Sequence, residues 1–360
     1  MVKEMKLEKE PVALFSIPAI YDDKYFEAVA SMTRKYKCSR VHEVYGSFPQ
    51  DIIGNLRPPF AVLDVDRKKM KEYILFLHEH QIHFNYVLNS TITTGLEYSE
   101  AGKKKILSFI GNLLEMGVDS FTISSPYLVS TIHSEFSDVK LTASICCKIM
   151  SPRKAVEFED IGVDEIVLDR DINRRFDIIK SIRNAVKTKI KLLCNTPCLL
   201  QCINQTYHDN LSSLLTNSLM GATCKIDPKI PFEPYCSSYC REKKERQPVE
   251  WIKSPWIRPE DINIYQNMGI DEFKIDGRDR NAEYVEEVID AYLRQYYEGN
   301  FFHLIREKIP RINSDFKCAN YIPYVNNRKL DSFLDPFVSG RVICDYYCDM
   351  CGYCNDFLAN

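Results

Sequence analysis

Fourteen of the 360 residues are cysteines, and their spacing is the first sign of chemistry in the chain. Cys194, Cys198, Cys202, Cys224, Cys236 and Cys240 fall in one largely polar stretch, where Cys198-x3-Cys202 and Cys236-x3-Cys240 share a spacing. Sulfurs four residues apart can lie on one face of a helical turn, so two such pairs that converge could share a soft metal centre. Four thiolates from Cys198, Cys202, Cys236 and Cys240 would hold a 4Fe-4S cluster or a tetrahedral zinc ion, and the cluster is the expectation here. Cys194, four residues before Cys198, is the rival fourth ligand, and Cys224 is taken as structural. The chain closes on a second group, Cys344-x3-Cys348-x2-Cys351-x2-Cys354. On a continuous helix these sulfurs would spread over about 15 Å, too far for one site. A shared metal therefore requires turns, which Gly352 permits, and a second cluster or zinc is the expectation there.

Charged residues at the ends of strand-like runs are the other candidates. LDRD presents Asp169, Arg170 and Asp171, and KIDGR presents Lys274, Asp276 and Arg278. An arginine there can grip a carboxylate or phosphate and a carboxylate can act as a base. The competing reading is that alternate strand residues form salt bridges filling the interior of a barrel. His208 could donate a proton or ligate a metal, with Lys253 and Asn195 as further entries of lower standing. No G-x-S-x-G, H-E-x-x-H, Walker loop or dinucleotide glycine fingerprint is present.

These groups need a scaffold that brings strand ends together. Short apolar or β-branched runs recur with helix-like passages between them, giving strands at Val12–Ile17, Arg40–Tyr45, His83–Leu88, Ser120–Ser124, Leu141–Cys146, Glu165–Leu168, Lys189–Leu193 and Glu272–Ile275. Eight is the number that closes a parallel barrel. Ser151-Pro152 opens one helix and Gly162 closes it; Pro259 and Gly269 do the same for a later one. The predicted fold is α/β, a TIM-like (β/α)8 barrel over 1–300. A long cysteine-bearing insertion (195–256) follows strand 7, and a cysteine-rich C-terminal extension (301–360) docks on the barrel. An insertion after a strand emerges at the C-terminal face, where barrel enzymes build their sites.

Composition narrows the rest. With 27% charged residues and a net charge of −3, no global attraction to nucleic acid is implied. The densest basic run, Arg241–Arg246, reads as a solvated loop. No signal peptide is readable, and no apolar run reaches the roughly 20 residues of a membrane span. Cysteines in such a chain point to metal ligands and buried thiols rather than disulfides, hence a reducing, cytoplasmic compartment. The N-x-T triplets at Asn89 and Asn204 then carry no glycan.

Three passages carry a family resemblance: SICCKIMSPRKAVEFEDIGVDEIVLDRD, KLLCNTPCLLQC, and WIKSPWIRPEDINIYQNMGIDEFKIDGRDRNAEYVEEVIDAYLRQ. Over about 141–297 the chain resembles the peptidase U32 family. The resemblance implies a TIM-like barrel and, in many members, a four-cysteine 4Fe-4S cluster. Some members take part in oxygen-independent hydroxylation of ubiquinone precursors or RNA bases, and others are described as collagenase-like proteases. Two features depart from the commoner family pattern: Cys194-Asn-Thr-Pro-Cys198-x3-Cys202 replaces H-G-x-x-C, and the cysteine-rich tail is additional. The leading expectation is a redox enzyme whose cluster passes electrons while Arg170, Lys274 and Arg278 hold a small-molecule, peptide or RNA-base substrate. The alternatives are a U32-type peptidase and a non-catalytic cluster-bearing partner of another enzyme. An electron donor or partner subunit is expected, and no membrane.

Overall fold

A computed structural model describes residues 12–57, 59, 62–217, 219, 232–270, 272–306 and 322–359, with the backbone alone for 232–237. Eight strands, β1 (Ala13–Pro18), β2 (Ser39–Gly46), β3 (His83–Leu88), β4 (Ser120–Ile123), β5 (Lys140–Ala143), β6 (Glu165–Val167), β7 (Lys189–Leu193) and β8 (Glu272–Lys274), pair in chain order. All pairings are parallel, and β8 closes on β1 through Phe15 opposite Phe273. The eight strands expected from the sequence are thus present; β4, β6 and β8 end one residue earlier than expected and β5 three residues earlier. β5 stops at Ala143 because Ser144 turns the chain: its hydroxyl accepts from the Cys146 amide, and Lys148 closes the turn at φ +49°.

Crossover helices α1 (Asp23–Met32), α2 (Arg67–Glu79), α3 (Glu100–Glu115), α4 (Pro126–Glu135), α5 (Pro152–Asp160) and α6 (Phe176–Ala185) alternate with β1 to β7. Most start on a side chain that satisfies an orphan amide. Asp22, Asp66, Ser99, Ser125 and Ser151 each accept from the first turn, and Pro152 follows its serine at the first helical position. After α5 the chain turns at Gly162 (φ +99°), where a β-carbon would meet the His133 ring at 2.5 Å. Only glycine fits that approach.

Between β7 and β8 lie α7 (Gln205–Thr216), α8 (Phe232–Arg246), α9 (Val249–Lys253) and α10 (Ile262–Gln266), and α11 (Ala282–Arg294) follows β8. Arg241–Arg246 is therefore the last part of a helix rather than a loop, and Lys244 within it is 2% exposed. α7 is a strap across the mouth. The Asn55 amide donates to Thr216 Oγ1 (2.9 Å), Thr91 Oγ1 to Asn210 Oδ1 (2.8 Å) and Asn217 Nδ2 to the Ile53 carbonyl (3.0 Å). The C-terminal extension carries α12 (Phe302–Ile305), α13 (Asp335–Val338), α14 (Cys348–Cys351) and α15 (Tyr353–Ala359). It packs on the insertion's two tryptophans: Phe301 and Phe333 meet Trp256 at 4.7 and 5.3 Å between ring centroids, and Phe302 meets Trp251 at 5.3 Å.

The barrel interior is polar at its centre. Lys191, 1% exposed on β7, places Nζ 2.7 Å from Glu165, 2.9 Å from Glu43 and 3.6 Å from Glu272, carboxylates of β6, β2 and β8. Asn85 Nδ2 donates to Glu43 (3.2 Å), Thr122 donates to Asn85 (2.7 Å) and Thr142 to Glu165 (3.1 Å), which carries the network through β3, β4 and β5. Burial alone would raise Glu43, yet the charges of Lys191 and His42 and the Ser16 hydrogen bond bring it down to about 2. Burial pushes Glu165 well up against the pull of Lys191, and the neighbouring Glu272 adds to the rise.

Breaking a buried pair from one side leaves the other charge stranded, at a cost of about 3–5 kcal/mol. Lys191→Met is expected to lose that amount in urea unfolding, and adding Glu43→Gln should recover part of it; an unchanged midpoint would count against pairing. Because Glu43 is depressed, its share of stability is complete above its ordinary value of 4.5 and is lost as pH falls toward about 2.

Candidate functional site

β6 ends in the three residues that hold the cysteine loop. Asp169 is 2% exposed and caps its own turn, accepting from the Asp171 amide (2.9 Å). Asp171 reaches across to the insertion, where one carboxylate oxygen accepts from both the Gln201 amide (3.2 Å) and Gln201 Nε2 (3.0 Å). Gln201 takes φ +50° and lies between Cys198 and Cys202. The Cys198-x3-Cys202 pair is consequently carried on a non-helical turn, not the helical one that its spacing suggested. Burial and the neighbouring Asp169 push the Asp171 carboxyl up to about 6.

Cys198 and Cys202 sit on this turn, and Cys240 is near enough to feel the charge of both. Burial raises Cys240 and Cys202, and the charge of Cys198 acts on both in the same direction. Cys240 lies on α8, four residues after Cys236, whose side chain is outside the described residues, as is Cys224 altogether. Cys194 does not join this set. It is fully buried in the hydrophobic core beside Tyr265 and Tyr292, and burial alone drives its thiol up. A thiol in hydrocarbon resists the deprotonation that ligation demands, which removes Cys194 as the rival ligand.

Two cations that face the sulfurs complete this arrangement. Arg170, at the end of β6, feels Cys198 as its largest charge partner and has a buried Nε with no hydrogen-bond partner. Lys244 of α8, unmarked by any sequence motif, donates to Ser254 Oγ (2.9 Å) and to the Pro197 carbonyl and lies 4.1 Å from the Trp251 ring centroid. Burial lowers its ammonium to about 8, while Cys240 and Cys198 oppose that fall. The only sign of Lys244 in the sequence was its place in a basic run, which pointed to solvent.

The β8 end forms the opposite wall. Lys274 Nζ sits 3.6 Å from the Tyr45 ring centroid, and burial with the charge of Lys191 lowers it to about 7. Asp276 is paired with Arg57, which also approaches Asp279 at 3.6 Å. Burial would raise Asp276, but Arg57 and Arg278 bring it to about 2. Arg278 is buried, donates to Ser47 Oγ (2.9 Å) and has a buried Nε without a partner. Asn195 clamps the strand ends instead of standing with the cysteines: it accepts from the Asp276 amide (2.7 Å) and donates to the Asp276 carbonyl (2.8 Å). From α7 above, His208 is lowered by burial and by Arg57 and Arg170, while Asp209 beside it is raised by burial. Arg57 and Asp209 escaped sequence reasoning because they come from a loop and a strap that only the closed barrel brings over the mouth.

Cys344, Cys348, Cys351 and Cys354 line a different cavity, together with Arg174, Leu200 and Lys253. Lys253 is paired with Glu250 at 3.1 Å and faces Cys348 and Cys354. Among the described residues no three histidine, cysteine or carboxylate groups are gathered tightly enough to grip a single ion.

A half-buried amine brought to about 7 is testable by competitive amine labelling. Lys274 should show half-maximal reactivity near pH 7, against about 10.4 for ordinary lysines, and Arg278→Gln should move it upward by removing a like charge. A midpoint near 10 in the wild type would reject the lowered value.

The profile of Peptidase family U32 matches residues 38–332. The chain is 30% identical over 314 residues to an uncharacterized protease of Methanocaldococcus jannaschii, covering 87% of this chain and 86% of the other. It is 24% identical over 286 residues to the 23S rRNA 5-hydroxycytidine C2501 synthase of Escherichia coli, covering 76% of this chain and 39% of that longer protein. A solved structure, that of the U32 peptidase Mk0906, superposes with a TM-score of 0.54 at 16% identity, over 76% of this chain and 96% of that one. The shared barrel and the matched profile over most of its length place the chain in peptidase family U32.

Proposed function

We propose that this chain is an iron–sulfur redox enzyme of the U32 type that carries out an oxygen-independent, hydroxylation-type modification of an organic substrate bound at the barrel mouth. The observation that carries this reading is that Cys198, Cys202 and Cys240 lie near enough to feel one another's charge and that of the half-buried Arg170 and the buried Lys244. With Cys236 as the fourth thiolate they would hold one 4Fe-4S cluster, which supplies one-electron transfer when bound. The name of the Escherichia coli relative, a hydroxycytidine synthase, supports the reaction type.

The chain's own groups suit that role. Arg170 and Lys244 offset the negative charge that thiolates bring into a half-buried pocket, which is what makes their deprotonation affordable. Across the mouth, the Arg278 Nε is an unused donor for a carbonyl or anionic edge of a substrate. Lys274 can hold or release a proton near neutrality, and His208, kept neutral, can accept one. The α7 strap shields these groups from water, which strengthens each electrostatic contact.

A second reading, a peptidase, is favoured by the name of the Methanocaldococcus jannaschii relative. Anaerobic purification separates the two. Cys198→Ser and Cys240→Ser are each expected to lose about four irons and four sulfides per chain relative to wild type. Arg170→Gln should retain iron while its reduction potential moves downward, because a nearby cation favours the more negative reduced form. A colourless, metal-free wild type that cleaves peptides would replace this proposal with the peptidase.

A further inference from the structure

The tail cysteines stand apart from the mouth, and their surroundings point to a ligand. Gly352, at φ +65°, separates α14 from α15 and supplies a turn between Cys351 and Cys354, which with Cys344 and Cys348 line one small cavity. Aromatic packing fixes this segment in place. Tyr353 donates to the Phe333 carbonyl (3.0 Å) and meets Phe337 edge-on at 5.2 Å, while Phe357 meets Phe333 at 4.8 Å.

Two buried polar atoms at this cavity are without partners. Arg174 is 5% exposed and donates to the Ile252 and Ser254 carbonyls (2.7 and 2.8 Å), yet its Nε is unsatisfied. The Tyr346 hydroxyl, on a residue at φ +69°, is likewise buried and unpaired. A buried donor left without a partner is costly, so each of these two is available to a bound acceptor.

We infer that Cys344, Cys348, Cys351 and Cys354 hold a second iron–sulfur cluster, with Arg174 and Lys253 balancing its negative charge and the Arg174 Nε and Tyr346 hydroxyl donating to its sulfurs. The site is independent of the one at the mouth but adjacent to it. Leu200, from the turn between Cys198 and Cys202, is part of the tail cavity's lining. One short turn thus separates the two sulfur sets, and the tail set is the more solvent-facing, with Cys351 exposed.

The test is metal and sulfide analysis of the full chain purified anaerobically, with the double variants Cys351→Ser/Cys354→Ser and Cys198→Ser/Cys202→Ser. Wild type should hold about eight irons and eight sulfides, and each double variant about half. Retention of the mouth irons by the tail variant shows that the barrel still folds, and the two reduced signals should then be separable by electron paramagnetic resonance. Full iron in the tail variant, or zinc in place of iron and sulfide at the tail, overturns the inference. A wild type with four irons, all lost on changing Cys198 and Cys202, would overturn it while leaving the mouth cluster standing.

Discussion

One buried ammonium organises the molecule. Lys191 sits at the centre of the barrel, in contact with carboxylates from the second, sixth and eighth strands. Ions so far from water persist only where geometry and additional hydrogen bonds compensate for lost hydration. The serine, asparagine and threonines of β1, β3, β4 and β5 provide those bonds, so the polar network touches every strand. A one-residue slip in any strand would turn its member of the network out of the barrel. The network therefore specifies register where purely branched apolar layers would tolerate repacking. It also acts upward, because the Lys191 charge is among the reasons that Lys274 is held near 7.

Above that layer the strand ends are used as anchors more than as free reagents. Asp169 caps a turn, Asp171 ties down Gln201, Asn195 joins the seventh and eighth strand ends, and Asp276 neutralises Arg57. The effect is to hold a cysteine turn and a helical strap rigidly over the mouth. Arg170, half-buried, and the buried Lys244 and Arg278 stand as cations around the opening. Such a field favours thiolates and anionic or carbonyl groups.

The family comparisons and the geometry agree on the scaffold and meet at the mouth. The family match covers residues 38–332, which includes the barrel from β2 to β8 and the insertion but neither β1 and α1 nor the four tail cysteines. The relatives bear the names of enzymes, one a protease and one an RNA-modifying synthase. No described helix is long and apolar enough to cross a membrane. The cysteine-bearing end lies beyond the matched region, and its Phe333 packs on Trp256 of the insertion.

The barrel was legible in the chain because parallel strands buried on both faces leave continuous apolar runs, and because Ser151-Pro152, Gly162 and Gly269 punctuate helices by local stereochemistry alone. That LDRD and KIDGR would meet at one face was legible too, since every strand end of a barrel reaches the same face. Tertiary structure alone decided the remainder. Whether Cys194 meets the other sulfurs depends on which way one residue faces after a strand, and it faces the core. Whether Lys244 is solvated depends on what α8 packs against, which is Trp251 and the Pro197 turn. Arg57 and Asp209 join the site through loops whose paths no local pattern encodes. Local sequence determines which backbone shapes are accessible and which faces must be buried; the partners of a charge or thiol are set by contacts between residues distant in the chain, and those exist only once the barrel has closed.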